Sequence, residues 1–444
     1  MNSFFEKTSK RLATGLALAV VCASSAMAQS KPTMVITLDK AIETALAENP
    51  TMKVADKEIE LKKVADKEAW QALLPSVDAQ LSLQHSIKVA EIRTSMGSFK
   101  MGMDGSTTAQ GGITISLPIF APTVYQNMKL TKEDIQVAQE KARGSKLDLV
   151  NQVTKAYYAA LLSKDSYDVM VKAYKTSTEN YNQINKMYEV GTVSEYDKIS
   201  AEVQMRNMNS AVVSAETGIR LSLLKLKVLM GITADVNLQI NDNLKAYESQ
   251  LVMPNELGQN AVDNNTDLRQ LDLNVKLLER TRKLLKTNFM PTVAVQLSGQ
   301  YQSMSNDNWN LFNYHYSPSL ALAFSVSVPL YRASNFTKLQ SNKIQISQLL
   351  DTRDYTRRQL TIAASSYREN MVSTVAKIES NRQAVAQADK AVSISAKRYE
   401  VGKGTVLELN QSETALTQAE LTYNQSVFDY LTNRADLEYT MGKD

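Results

Sequence analysis

Cysteine is nearly absent from this sequence. The single thiol, Cys22, falls inside an N-terminal segment with a basic start (Lys7, Lys10, Arg11), an apolar run from Leu12 to Ala23 and the small-residue triplet Ala26-Met27-Ala28. That is the layout of a secretory signal peptide, residues 1–28, cleaved after Ala28. Cleavage there leaves a mature chain with no disulfide and no Cys-based metal site; a lipidated Cys22 after a different cleavage is the alternative. Histidine is as scarce, and His85 and His315 are too few for a His-based metal site. Met96, Met101 and Met103 group in one loop, readable as a soft-cation site or as an ordinary loop. No Gly-rich phosphate loop, His-Glu-x-x-His or nucleophile elbow occurs, so nothing points to an enzyme or to a bound cofactor.

Long hydrophobic runs are missing too. Past the signal no uninterrupted apolar stretch reaches the roughly 20 residues of a membrane helix, so any membrane insertion must use strands. Charge of one sign is lacking as well: 50 basic and 46 acidic residues leave +4. The signal segment supplies three bases and Glu6, or +2, so the mature chain keeps +2, too balanced for nucleic acid.

What is present is a duplication. Tyr188-Glu189-Val190-Gly191 recurs as Tyr399-Glu400-Val401-Gly402, and Gly402 − Gly191, Pro329 − Pro118 and Gly442 − Gly231 all equal 211. Upstream, Pro291 − Pro75 is 216, so a length difference of five residues falls between Pro75 and Pro118. The chain therefore reads as two repeats after the signal, 29–253 and 254–444.

Each repeat carries two alternating stretches. Val77, Ala79, Leu81 and Leu83 alternate with polar residues, as do Ile113, Ile115 and Leu117. Val293, Val295, Leu297 and Tyr301 follow the same period in the second copy, and so do Leu320, Leu322, Phe324, Val326 and Val328. The pattern predicts strands over about 76–86, 110–118, 292–302 and 319–329, joined by Gly-, Ser-, Asn- and Asp-rich loops over 86–110 and 303–318. A half-buried sheet in a soluble domain has this period too. The outward Leu, Val, Phe and Ile row and the aromatics at strand ends (Phe120, Tyr301, Trp309, Phe312, Tyr314, Tyr316, Tyr331) favour lipid-facing barrel strands. Four strands cannot close a barrel, and open edges are not tolerated in lipid, so several protomers must share one.

Helical patterns fill the rest. Short helices are expected from Thr37 to Leu46 and from Met52 to Leu73, with Asn49-Pro50 between them. Val236, Leu238 and Ile240 suggest a short strand. Helical hairpins are expected over 122–231 and 334–442, turning at the two Val-Gly pairs. The first long helix would rise about 100 Å. Tyr167, Tyr174, Tyr181 and Tyr188 recur every seven residues, and Ile378, Val385, Val392 and Tyr399 stand 211 later, a heptad suited to supercoiled packing.

In this order the motifs resemble the outer-membrane efflux protein family, the TolC-like channel-tunnels of Gram-negative bacteria. Those carrying the resemblance are Leu38-Asp39-Lys40-Ala41-Ile42 with Asn49-Pro50, Leu73-Leu74-Pro75-Ser76, Leu117-Pro118-Ile119-Phe120, Val328-Pro329-Leu330-Tyr331 and the two Tyr-x-Val-Gly turns. The resemblance implies a mainly α fold with a membrane β-barrel portion: a homotrimer with a 12-stranded barrel in outer-membrane lipid and an α-helical tunnel across the periplasm. It implies a passive exit duct for efflux or type I secretion, with a periplasmic adaptor and an inner-membrane transporter of RND or ABC type as partners. A soluble periplasmic coiled-coil, adaptor-like protein without a pore is the rival. By the same resemblance Val190, Gly191, Thr192, Val401, Gly402 and Lys403 are adaptor-contact tips, and Asp197, Tyr399 and Glu408 a periplasmic gate. Gly404 and Gln411 depart from that pattern, standing where the family has an Arg and a second acid.

Overall fold

The computed structural model describes residues 33–95, 97–100, 103–233, 235–258, 260–305 and 311–443. The expected signal peptide with Cys22, as well as Met96, Met101 and Trp309, lies outside the described residues. In chain order the elements are β1 (Thr33–Val35), α1 (Leu38–Glu48), α2 (Pro50–Gln71), β2 (Ser76–Ser86), β3 (Glu91–Thr94), β4 (Gly97–Lys100), β5 (Ser106–Phe120), α3 (Pro122–Glu189) and α4 (Glu195–Leu229). Then follow β6 (Asn237–Gln239), α5 (Thr266–Thr287), β7 (Thr292–Ser305), β8 (Ser317–Ser327), α6 (Ala333–Glu400) and α7 (Val406–Thr440). The duplication is visible in the lengths: α2 and α5 have 22 residues each, α3 and α6 have 68, and α4 and α7 have 35.

The helix starts follow from capping. Asn49 accepts the Thr51 N–H at 2.8 Å with Pro50 at the first helical position, and Asn265 accepts the Asp267 N–H at 2.8 Å. Four ends, at Gly191, Gly231, Gly402 and Gly442, share one device. The glycine adopts positive φ (64–74°), and the next residue's N–H bonds the carbonyl five residues back, as in Thr192 to Met187 at 2.9 Å and Lys443 to Glu438 at 3.1 Å. This is the Schellman closure, which satisfies the carbonyls a helix end leaves open.

One compact unit comprises residues 46–155, 251–383 and 426–444 and holds the four-stranded sheet. Its order is β2-β5-β7-β8, antiparallel throughout. The register puts Val77, Ile115, Leu297 and Leu322 in one row, Ala79, Ile113, Gly299 and Leu320 in the next, and Leu117, Val295 and Phe324 in a third. The opposite face carries Asp78, Thr114 and Ser298, then Gln80, Gly112, Gln300 and Ser319, then Ser82, Gln110, Gln302 and Ser317. One face is thus apolar and the other lined by amides and hydroxyls. Leu81, Leu320 and Phe324 are 89%, 77% and 70% exposed, and β2 and β8 each pair on one side only. Arg353 is anchored to Asp272 at 2.5 Å, and the Asn265 amide caps the Thr440 carbonyl at 3.0 Å.

The strands depart from expectation at their ends. β5 begins at Ser106, four residues early, because Gly105 at φ 78° turns the chain and its N–H bonds the Ser86 carbonyl at 2.7 Å, which lets Thr107 pair with His85. A hairpin, β3–β4, with Ile92 opposite Phe99, occupies part of the loop expected over 86–110. β8 stops at Ser327, ahead of Pro329, which has no N–H for a ladder.

A second compact unit takes in residues 33–45, 156–250 and 384–425. The short strand expected near Val236 is β6, and its parallel partner is β1, with Met34 opposite Leu238. Tyr157 is fully buried beneath it, its hydroxyl donating to the Asp242 carboxylate at 2.7 Å; burial is the main reason this phenol is raised above its ordinary value. Asp165 accepts the Leu244 N–H at 2.8 Å, and burial raises its carboxyl. Ile36, Leu161 and Leu244 close this core. The Tyr167 to Tyr188 ladder lies half-buried along α3, as a packing heptad requires.

Candidate functional site at the helix-hairpin tips

Both hairpin turns lie in the second unit and consist of the residues expected there: Val190, Gly191 and Thr192 after α3, and Val401, Gly402 and Lys403 after α6. Val190 and Val401 are 73% and 65% exposed. The return helices start differently. Ser194 opens α4 with a capping box, its hydroxyl oxygen accepting the Asp197 N–H at 3.2 Å while the Asp197 carboxylate accepts from the Ser194 N–H at 3.2 Å and hydroxyl at 2.7 Å. α7 opens on Thr405, whose hydroxyl oxygen accepts the Glu408 N–H at 3.2 Å.

Behind the turns Ile184, Ala201, Tyr399, Val406 and Leu409 form a buried cluster, flanked by Tyr181, Met187, Val193 and Ala396. Residues from all four tip helices enter it, so the two hairpins are packed together here. Different polar contacts clip each turn. Lys198 sits over the Tyr188 ring at 4.9 Å, whereas Arg398 donates to the Lys403 carbonyl at 3.1 Å and lies 3.6 Å from Glu408. The exposed Arg398–Glu408 pair is worth at most about 1 kcal/mol.

Of the three gate candidates, Asp197 and Tyr399 are close enough for the carboxylate's charge to act on the phenol, yet no hydrogen bond joins them. Tyr399 is buried with its hydroxyl unpaired, and burial followed by Asp197 raises its pKa. No Tyr–carboxylate hydrogen bond is therefore made at Tyr399 within this chain. Asp197 is committed to its cap instead, and Glu408 faces Arg398 on the surface.

Two features here had no counterpart in the sequence reading. One is a groove between α4 and α7, about 490 Å³, lined by Tyr196, Ile199, Val203, Leu407, Asn410 and Gln411 and crossed by an Asn410 to Ser200 hydrogen bond of 3.4 Å. The other is Glu413, buried on α7 with the Asn180 amide of α3 donating to it. Its spacing from Val406 and Leu409 places a carboxylate in an apolar stripe, which was the available signal. Among the described residues no group of three or more His, Cys, Asp or Glu side chains is placed to hold a metal ion, and no helix is long and apolar enough to cross a membrane.

A sheet with one apolar face and two long helical hairpins is the architecture of known efflux channels. The family model for outer membrane efflux proteins matches residues 41–232 and 257–443. The chain belongs to the outer membrane efflux protein family. It is similar to the outer membrane protein TolC of Vibrio cholerae serotype O1, 20% identical over 341 residues that cover 76% of this chain and 77% of that one. Its fold matches the crystal structure of CusC with a TM-score of 0.74 at 14% identity, covering 94% and 96% of the two chains. It also matches the open-state structure of the Neisseria gonorrhoeae outer membrane channel MtrE, with a TM-score of 0.71 at 17% identity over 91% and 88%. As an outer membrane efflux protein the chain is a channel-tunnel of the Gram-negative outer membrane reaching into the periplasm, and the soluble, poreless reading is set aside.

Proposed function

We propose that three copies of this chain close one channel, each contributing its four-stranded sheet to a twelve-stranded barrel in lipid and its four tip helices to a periplasmic tunnel. The observation that carries this reading is the sheet itself, with an apolar face and unpaired edges at β2 and β8. Lipid tolerates no such edge, so a neighbour must cover it. Exposed apolar stripes along the helices give such neighbours further surface to bury: Val54, Leu61 and Val64 on α2, and Leu221, Leu224 and Val228 on α4. The two segments 29–253 and 254–444 act as two efflux repeats, the first preceded by a signal peptide.

The duct is passive and takes what an inner-membrane transporter of RND or ABC type delivers through a periplasmic adaptor. The exposed tips at Val190–Thr192 and Val401–Lys403, with the α4–α7 groove behind them, are where an apolar adaptor surface would seat. Photo-crosslinkers placed at Thr192 and Lys403 are expected to capture one periplasmic partner, and a crosslinker on the outward-facing Leu320 none. Capture at neither tip removes the adaptor assignment.

Asp197, Tyr399 and Glu408 act as the gate: three copies of a carboxylate around an axis attract cations, and hairpin packing keeps the passage narrow. Asp197→Ala combined with Tyr399→Phe is expected to raise single-channel conductance in planar bilayers. Unchanged conductance and ion selectivity would remove the gating role.

A further inference from the structure

Glu413 is a carboxyl group set where two hairpins meet, and among the described residues it forms no ion pair. It projects from α7 against α3, is 9% exposed, and is bonded to the neutral side-chain amide of Asn180. Beside it lies a cavity of about 140 Å³ lined by Lys172, Ala173 and Thr176 of α3, Asp389 and Val392 of α6, and Leu416, Thr417 and Glu420 of α7. The charged groups facing Glu413 are therefore Lys172, Asp389 and Glu420. Lys172 is already engaged with Glu420 at 2.8 Å, and Asp389 brings no positive charge to the cavity. On the other side Asn180 borders a pocket shared with Lys397 and Glu400 of α6. The equivalent position in the first repeat, Glu202, has no such setting: it is paired with Arg206 at 2.7 Å on the surface of α4.

We propose that Glu413 and Asn180 form a proton-operated latch between the two hairpins, closed when the carboxyl is protonated and loosened when it ionises. A buried carboxylate with one neutral donor is strongly penalised, and such groups keep their proton or move to water. Burial pushes the Glu413 carboxyl up to about 7, opposed in part by the Asn180 amide. Once α7 separates from α3 and water reaches the group, it returns to its ordinary value of 4.5. Because the packed arrangement holds the proton more tightly, packing is favoured at low pH. That advantage is lost as pH rises through the window from 4.5 to about 7. Each unit within the window shifts the packing equilibrium by up to about tenfold. The latch itself needs only the packing of α7 on α3; its consequence for transport rests on the gate reading above.

The test uses the full-length protein, assembled in detergent and in planar bilayers, between pH 5 and 8.5. Hydrogen exchange over 406–417, corrected for its intrinsic pH dependence, is expected to lose protection as pH rises from 5 and to level off near 7. Glu413→Gln, which mimics the protonated form, should stay protected throughout. Asn180→Ala, which removes the opposing donor, should move that levelling-off to higher pH. Wild-type exchange that ignores pH, or a Glu413→Gln protein that follows wild type, overturns the latch. If exchange behaves as expected and conductance also rises with pH in wild type but not in Glu413→Gln, latch and gate stand together. If exchange behaves as expected while conductance is flat, the latch stands and the gate reading fails.

Discussion

Leu322→Arg is expected to empty the outer-membrane fraction of assembled protein, whereas Ala321→Arg, one residue away, leaves it in place. Leu322 stands in the row of Val77, Ile115 and Leu297, and Ala321 pairs with Ser298 on the amide- and hydroxyl-lined face. A strand residue's direction reverses at every step, so adjacent positions sample lipid and lumen. An arginine in the middle of the lipid-facing band costs about 2–4 kcal/mol per copy, paid three times in a trimer. The inward arginine meets water and changes selectivity instead: Asp78 is the charged residue in the inward rows of these strands, and three added cations should turn preference toward anions. Membrane fractionation with carbonate extraction, followed by ion-selectivity recordings of the inserted variant, reads both halves. Equal behaviour of the two variants would mean that the faces are misassigned.

The second large effect is expected at Gly442. Its φ of 64° costs a non-glycine residue about 1–2 kcal/mol, and the same holds for Gly402 at 70°. The surroundings separate the two. A methyl group on Gly402 meets nothing within 4 Å, but on Gly442 it lands 2.2 Å from the Asn264 carbonyl oxygen and 2.9 Å from the Asn265 nitrogen. Backbone cannot swing away as a side-chain end does, and Asn265 is the cap of α5 and the donor to the Thr440 carbonyl. Overpacking adds about 1–3 kcal/mol. Gly442→Ala should therefore cost about 3 kcal/mol or more against about 1 for Gly402→Ala, read from denaturation midpoints in detergent. Similar midpoints for the two would contradict the close approach.

Much of this was legible in the residues because the relevant signals are local. Pro75, Pro291 and Pro329 flank the strands, Pro118 lies two residues inside the end of β5 at a register shift, period two marks the faces, and the Val-Gly pairs with αL glycines end the long helices within a residue or two of where they were expected. What escaped depends on neighbours distant in sequence. The parallel pairing of β1 with β6 joins residues about 200 apart, and no periodicity announces it. Tyr188 and Tyr399 occupy equivalent repeat positions, yet one lies half-buried beneath Lys198 and the other sits in the inter-hairpin cluster with an unpaired hydroxyl. Glu202 and Glu413 differ in the same way: equivalent in the repeat, one is paired with Arg206 on α4 and the other is buried against α3.

The pore proposed above takes three copies of this chain. The most direct measurement is the mass of the purified mature protein in detergent together with its conductance in planar bilayers. A trimer that inserts and conducts ions is expected. A monomer that gives no conductance would contradict it.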